Sequence, residues 1–155
     1  MKAVINMYDF SENFKALIEN IPSEVALLSN TSAFLNMMLE VISWVGFYLW
    51  NGKELILGPF QGKVACTRIA MNKGVCGTSA YKKETLIVPN VHEFEGHIAC
   101  DSASNSEIVI PLFIDEQLYG VLDIDSTSFD RFHKDDAEIL SKCMKIMLKT
   151  VKDLK

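Results

Sequence analysis

Hydrophobic positions follow two periods along this chain, one helical and one alternating. Residues 11–20 place Phe14, Leu17 and Ile18 on one helical face and predict a short helix. Pro22 and Ser23 open a longer helix running to about residue 42. Its apolar residues Val25, Leu28, Phe34, Leu35, Met38 and Leu39 recur at helical spacing, with polar residues diluting 29–32. Ser23 is the expected N-cap. The period changes at Trp44. Residues 44–50 (WVGFYLW) predict a strand, with Trp44, Tyr48 and Trp50 on one face and Phe47 and Leu49 on the other. Asn51-Gly52 is a strong hairpin signal, so 53–57 is the expected partner strand, ended by Gly58-Pro59. Residues 73–83 predict a short helix opened by Gly74, and 86–88 a short strand stopped by Pro89. Residues 92–106 have no period and predict the longest loop. Two strands follow, 107–114 and 117–125, joined at Asp115-Glu116. Asp135 and Glu138 have capping-box spacing. They open a long amphipathic helix with Ile139, Leu140, Cys143, Ile146, Met147 and Val151 on its apolar stripe.

Helices at both ends with antiparallel hairpins between them define an α+β domain. It divides into N-terminal helices (1–42), a sheet with active-site loops (43–126) and a C-terminal helix (135–155). The sheet should hold about five or six strands. The terminal helices should pack on one face, and the middle loops should form a pocket on the other. Composition changes this picture little. The 155 residues are 49% hydrophobic and 23% charged, which excludes a disordered or low-complexity chain. A net charge of −5 argues against nucleic acid as a partner. No apolar run reaches the roughly 18 residues of a membrane span, and residues 1–8 show no export signal. The expected compartment is the cytoplasm, where structural disulfides are rare.

That expectation makes the four cysteines informative. Cys143 lies on the apolar stripe of the last helix and reads as core packing. Cys66, Cys76 and Cys100 fall in the loop-rich middle. None forms a Cys-x-x-Cys pair, and His97-x-x-Cys100 is the one close His/Cys pair, so the spacing gives no metal pattern. Thiol chemistry fits better. Cys76 sits at a predicted helix start, where backbone N–H groups favour a thiolate. Cys100 sits in a polar loop beside His97 and Asp101. Thiols on loops suit a cycle in which one attacks and another resolves. In the strand around 121–125, Asp123 and Asp125 share a face, and Glu107 starts the neighbouring strand near the same sheet end. Three acids there would bind a cation such as a ligand ammonium, or hold a proton for transfer. The aromatic face of Trp44 and Tyr48 could wall such a pocket and suits a thioether or methyl group.

Together, the segments WVGFYL at 44–49, LGPFQGK at 57–63, Ala65-Cys66 and GVCG at 74–77 resemble the free methionine-(R)-sulfoxide reductase family. So do HIACD at 97–101, SEIVIP at 106–111 and GVLDIDS at 120–126. The resemblance implies a single GAF domain and a thiol oxidoreductase. Free L-methionine (R)-sulfoxide would be reduced to methionine through a cysteine sulfenic acid and an intramolecular disulfide. Thioredoxin would reduce that disulfide, with no metal or organic cofactor. The resemblance implies Cys100 as the attacking thiol, Cys66 as the main resolving thiol and Cys76 as a second partner. The rival assignment has Cys76 attacking and Cys100 resolving, and the helix-start argument favours it. Glu107, Asp123 and Asp125 match substrate-binding acids, and Trp44 and Tyr48 match positions at the substrate's methyl end. The substrate carboxylate would meet backbone N–H groups within 103–106. A homodimer is also implied. The reading from another class is a non-catalytic GAF module that senses a small ligand or redox state.

Overall fold

The computed structural model of the chain describes residues 7–98 and 102–155. Among these residues the elements run α1 (Met7–Leu17), α2 (Glu24–Met38), β1 (Trp44–Trp50), β2 (Leu55–Gln61), β3 (Arg68–Ile69) and α3 (Gly74–Lys82). They continue as β4 (Leu86–Val88), a short 3-10 turn (Val91–Glu93), β5 (Ser106–Ile114), β6 (Gln117–Ser126) and α4 (Lys134–Leu154). The strands form one six-stranded antiparallel sheet in the order β3-β2-β1-β6-β5-β4. The fold is the expected α+β domain. No helix among the described residues is long and apolar enough to cross a membrane.

Each sheet face has its own core. On one face α1, α2 and α4 pack Phe10, Phe14, Leu27, Leu28, Leu35, Leu140, Cys143 and Met147 against Val45, Phe47, Ile108, Ile110, Leu122 and Ile124. The other face carries Trp44, Tyr48, Val109 and Val121, covered by α3 through Val75, Cys76 and Ala80. The two-residue alternation of β1, β5 and β6 assigns every side chain to one core or the other.

Several boundaries differ from the sequence expectation. The first helix begins by Met7, four residues before the expected start, because Phe10 extends the buried stripe of Phe14 by one turn. It gives way to a turn ended by Asn20, whose φ of 58° is left-handed. The second helix stops at Met38, and Leu39 is extended. Within it Val25 is exposed, while Leu27 and even Thr31 and Ser32 are buried. Ser32 is tolerated there because its Oγ donates to the Leu28 and Pro59 carbonyls at 2.9 and 3.2 Å. Ser23 is the N-cap as expected, accepting from the Ala26 N–H at 3.2 Å.

Gly58-Pro59 does not end β2. The β1–β2 register shifts between Gly46 and Tyr48, so Gly58 and Pro59 together face Phe47 in a bulge. A bulge is where a strand accepts proline, which has no N–H for the ladder. The cap of α4 also differs. Asp136, not Asp135 or Glu138, accepts from the His133 backbone N–H at 2.8 Å and pairs with Arg131. The Asp115-Glu116 hairpin is as expected, with both residues left-handed at φ 49° and 66°.

Candidate active site

Strand register brings the acids together. Glu107 on β5 lies opposite Asp125 on β6, and Asp123 lies opposite both Val109 and Gly46. All three carboxylates therefore leave the sheet on the α3 side. Glu107 and Asp123 are each only 6% exposed. The third residue of α3, Cys76, is buried above them, with its Sγ 4.0 Å from Glu107 Oε1. Asp123 Oδ1 is buried without a hydrogen-bond partner among the described residues. The expected acid cluster is thus present, and it is more deeply enclosed than a strand-end position would suggest.

Aromatic rings wall one side. Trp44 stacks on Tyr48 at 5.9 Å between centroids and on Phe60 at 5.2 Å. The stack depends on Gly46, because a Cβ there would collide with the Phe60 Cβ. Both polar tips hold the neighbouring loop. Trp44 Nε1 donates to the Lys63 carbonyl and Tyr48 Oη to the Cys66 carbonyl, each at 3.0 Å. The aromatics are both a wall and the anchor of the Cys66 segment. Sequence reasoning assigned no individual role to Phe60 or Ser104, although both belong to this region. Ser104 lines the cavity with a buried Oγ lacking a partner among the described residues. Gly58-Pro59 marks the β2 bulge next to Phe60, but the sequence pattern reads it as a strand end. The unpaired state of Ser104 has no signal in the sequence at all.

The electrostatics follow from burial. Desolvation raises the Glu107 carboxyl well above the ordinary range, and the negative charges of Asp123 and Asp125 raise it further. Burial also raises Asp123, but hydrogen bonding from Glu107 and Cys76 opposes the shift. Burial and mutual repulsion thus favour a proton shared between Glu107 and Asp123 over two charged carboxylates. Cys76 is pushed well up by burial and then by Asp123, Glu107 and Asp125. This opposes the helix-start argument for a Cys76 thiolate. Its N-terminal position on α3 is correct, but burial and three acids outweigh a nearby helix end, whose effect is about 0.3–1 kcal/mol. Tyr48 is held neutral mainly by burial. His97, also on the cavity, is shifted down by burial and by His92.

The cavity between these groups measures about 50 Å³. That is room for a few water molecules. Small-molecule pockets commonly hold about 300–1,000 Å³. Trp44, Tyr48, Cys76, Glu107, Asp123 and Asp125 all line it. Cys66 is disulfide-bonded, whereas Cys76 and Cys143 are free thiols. Cys100 lies outside the described residues. Cys143 is in the helix-side core, where burial pushes its thiol up to about 12.

The sheet thus carries helices on one face and, on the other, a small cavity lined by buried acids, aromatic rings and a thiol. The GAF domain family matches residues 23–146. The chain is 52% identical over 130 residues to the free methionine-R-sulfoxide reductase of Escherichia coli (strain K12), covering 84% of this chain and 79% of that one. It superposes on the fRMsr of Staphylococcus aureus in complex with substrate with a TM-score of 0.91 and 47% identity, covering 97% of this chain and 99% of that one. The free methionine-R-sulfoxide reductase of Neisseria meningitidis, also in complex with its substrate, matches with a TM-score of 0.92 and 40% identity, over 96% and 89% of the two chains. This chain is a GAF domain, and within that fold it belongs to the free methionine-R-sulfoxide reductases, an oxidoreductase family.

Proposed function

We propose that this protein reduces free L-methionine (R)-sulfoxide to methionine by thiol chemistry. The observation that carries the reading is the buried acid cluster under an aromatic wall, with Cys76 and the Val64-Ala65 segment that leads into Cys66 lining the same cavity. A free amino acid brings an ammonium, which Asp123 and Asp125 hold. Its S-methyl end packs against Trp44 and Tyr48, where sulfur and methyl groups sit well on rings. The Ser104 hydroxyl and backbone N–H groups within 103–106 meet the carboxylate.

Reduction needs two thiols and one proton donor. Cys100 attacks the sulfoxide sulfur, and Glu107 gives its proton to the sulfoxide oxygen. Methionine leaves as Cys100 takes the oxygen as a sulfenic acid. The Cys66 thiol then displaces that oxygen as water and forms a disulfide. Two thiols are consumed for each sulfoxide reduced, so the electrons balance. Cys76 is a second resolving partner. It is the poorer nucleophile because burial among carboxylates keeps it protonated. The disulfide state of Cys66 supports its resolving role. Thioredoxin then reduces the disulfide in the cytoplasm, the protein works as a homodimer, and no cofactor takes part.

Mixing the reduced protein with excess free sulfoxide and no reductant tests this reading. About one methionine and two lost thiols per chain are expected from attack and resolution. Peptide mapping should place the new disulfide between Cys66 and Cys100. The N-acetylated substrate should turn over poorly, because it has no ammonium. No methionine from the folded, reduced protein would refute catalysis and leave a ligand-sensing GAF module. Equal turnover of the acetylated substrate would refute ammonium recognition.

A further inference from the structure

We propose that Cys76, Glu107 and Asp123 form a binding site for a thiophilic divalent cation of the Zn²⁺ class, and that the bound ion excludes substrate from the cavity. The three residues come from α3, β5 and β6, and one ligand atom from each lies within 4.8 Å of the others. The absence of a metal pattern in the sequence concerns local pairs and does not bear on ligands brought together by three elements. Cys76 Sγ and Glu107 Oε1 are 4.0 Å apart. Donors around a tetrahedral zinc stand roughly 3.5 Å apart, given metal–ligand distances of about 2.0–2.3 Å. Small side-chain rotations close the difference.

Two further observations point to a cation. Asp123 Oδ1 is a buried acceptor facing the cavity with no partner among the described residues. Neither Glu107 nor Asp123 is in any of the ion pairs formed among those residues. A cation supplies both the missing partner and the missing charge. The cavity of about 50 Å³ suits a single ion. The donor set selects the metal. A thiolate with two carboxylates suits Zn²⁺ and disfavours Mg²⁺ and Ca²⁺, which take oxygen ligands. Three protein ligands leave a fourth position for water, as in open zinc sites. Binding releases the Cys76 thiol proton and the carboxyl proton to solvent, and no electrons move.

Exclusion of substrate follows because the ion would occupy Asp123, one of the two acids that hold the substrate ammonium, and Glu107, the proton donor. That competition rests on the proposed reductase activity, whereas metal binding does not. The test therefore starts without substrate, on protein whose disulfide is intact, so that Cys76 and Cys143 are the free thiols among the described residues. Titration with Co²⁺ should give one bound ion per chain and a thiolate-to-cobalt charge-transfer band, which Zn²⁺ then bleaches. The band should vanish in Cys76→Ser and persist in Cys143→Ser, and Asp123→Asn should weaken affinity about tenfold or more. No band, or an unchanged band in Cys76→Ser, overturns the site.

In the second arm, reduced protein turns over once without added thiol. Zn²⁺ should slow methionine formation, excess substrate should restore it, and Cys76→Ser should lose the zinc effect relative to its own zinc-free rate. Zinc slowing that substrate cannot reverse overturns the competition. A cobalt band with no methionine formed under any condition upholds the metal site and refutes the reductase reading.

Discussion

The two faces of the sheet are built from the same strands but solve opposite problems. On the helix side, Phe14, Leu27, Phe47, Leu140 and Cys143 are fully buried in a continuous apolar core. On the α3 side, the same alternation buries Glu107 and Asp123 beside Cys76 and leaves Asp123 Oδ1 without a partner among the described residues. One face stabilises the fold. The other holds carboxylates where burial and mutual repulsion disfavour their charge. An apolar pocket would be more stable, so the acids mark function by the stability they cost. Core packing on the helix side must be sufficient to tolerate them.

The largest effect separating the faces should come from Glu107→Gln. Losing the proton donor should lower single-turnover methionine formation on the order of 10²–10⁴-fold, while the denaturant midpoint stays level or rises. Rapid-quench kinetics and urea unfolding on the same preparation measure both. On the opposite face, Phe14→Ala should cost about 3–5 kcal/mol in urea unfolding. Its remaining folded fraction should bind and reduce substrate normally.

Asp123→Asn should shift stability in the other direction, in favour of folding at neutral pH, because it removes a buried carboxylate charge. The pH dependence gives the sign. Glu107 and Asp123 have raised folded values against 4.5 and 3.8 for the ordinary groups. Between the ordinary and the raised values, the folded state therefore binds more protons than the unfolded state. Stability must then fall as pH rises above about 4, until the folded values are passed. Thermal melts across pH should show this decline in the wild type and a shallower one in Asp123→Asn. The smallest effect is expected for Tyr48→Phe. It removes one hydrogen bond to the Cys66 carbonyl, worth about 0.5–1.5 kcal/mol. Disulfide formation should slow more than methionine release, which separate quenches for each product would resolve.

The sequence makes the two faces legible to different degrees. Alternation in 44–50 and 117–125 places Trp44, Tyr48, Asp123 and Asp125 on one side, and β1 and β6 bear this out. Helical spacing identifies Leu140, Cys143 and Met147 as core, because a simple apolar stripe leads to burial. Polar signals mislead where tertiary contacts satisfy or override them. Ser32 is buried because it finds two carbonyls, and Pro59 remains in a strand because a bulge takes it. The Cys76 thiol illustrates the same limit for chemistry. Its helix position could be read locally, but Glu107 and Asp123 approach it from strands 31 and 47 residues later in the chain. The depth of burial that sets its protonation is a property of the assembled domain.

Infrared spectroscopy of the carboxyl groups at pH 7 tests the central claim most directly. If Glu107 is held protonated inside the domain, a neutral carboxyl band should be present in the wild type. It should disappear in Glu107→Gln and persist in Asp125→Asn. A spectrum with every carboxyl ionised at pH 7, or a neutral band untouched by Glu107→Gln, would contradict the account.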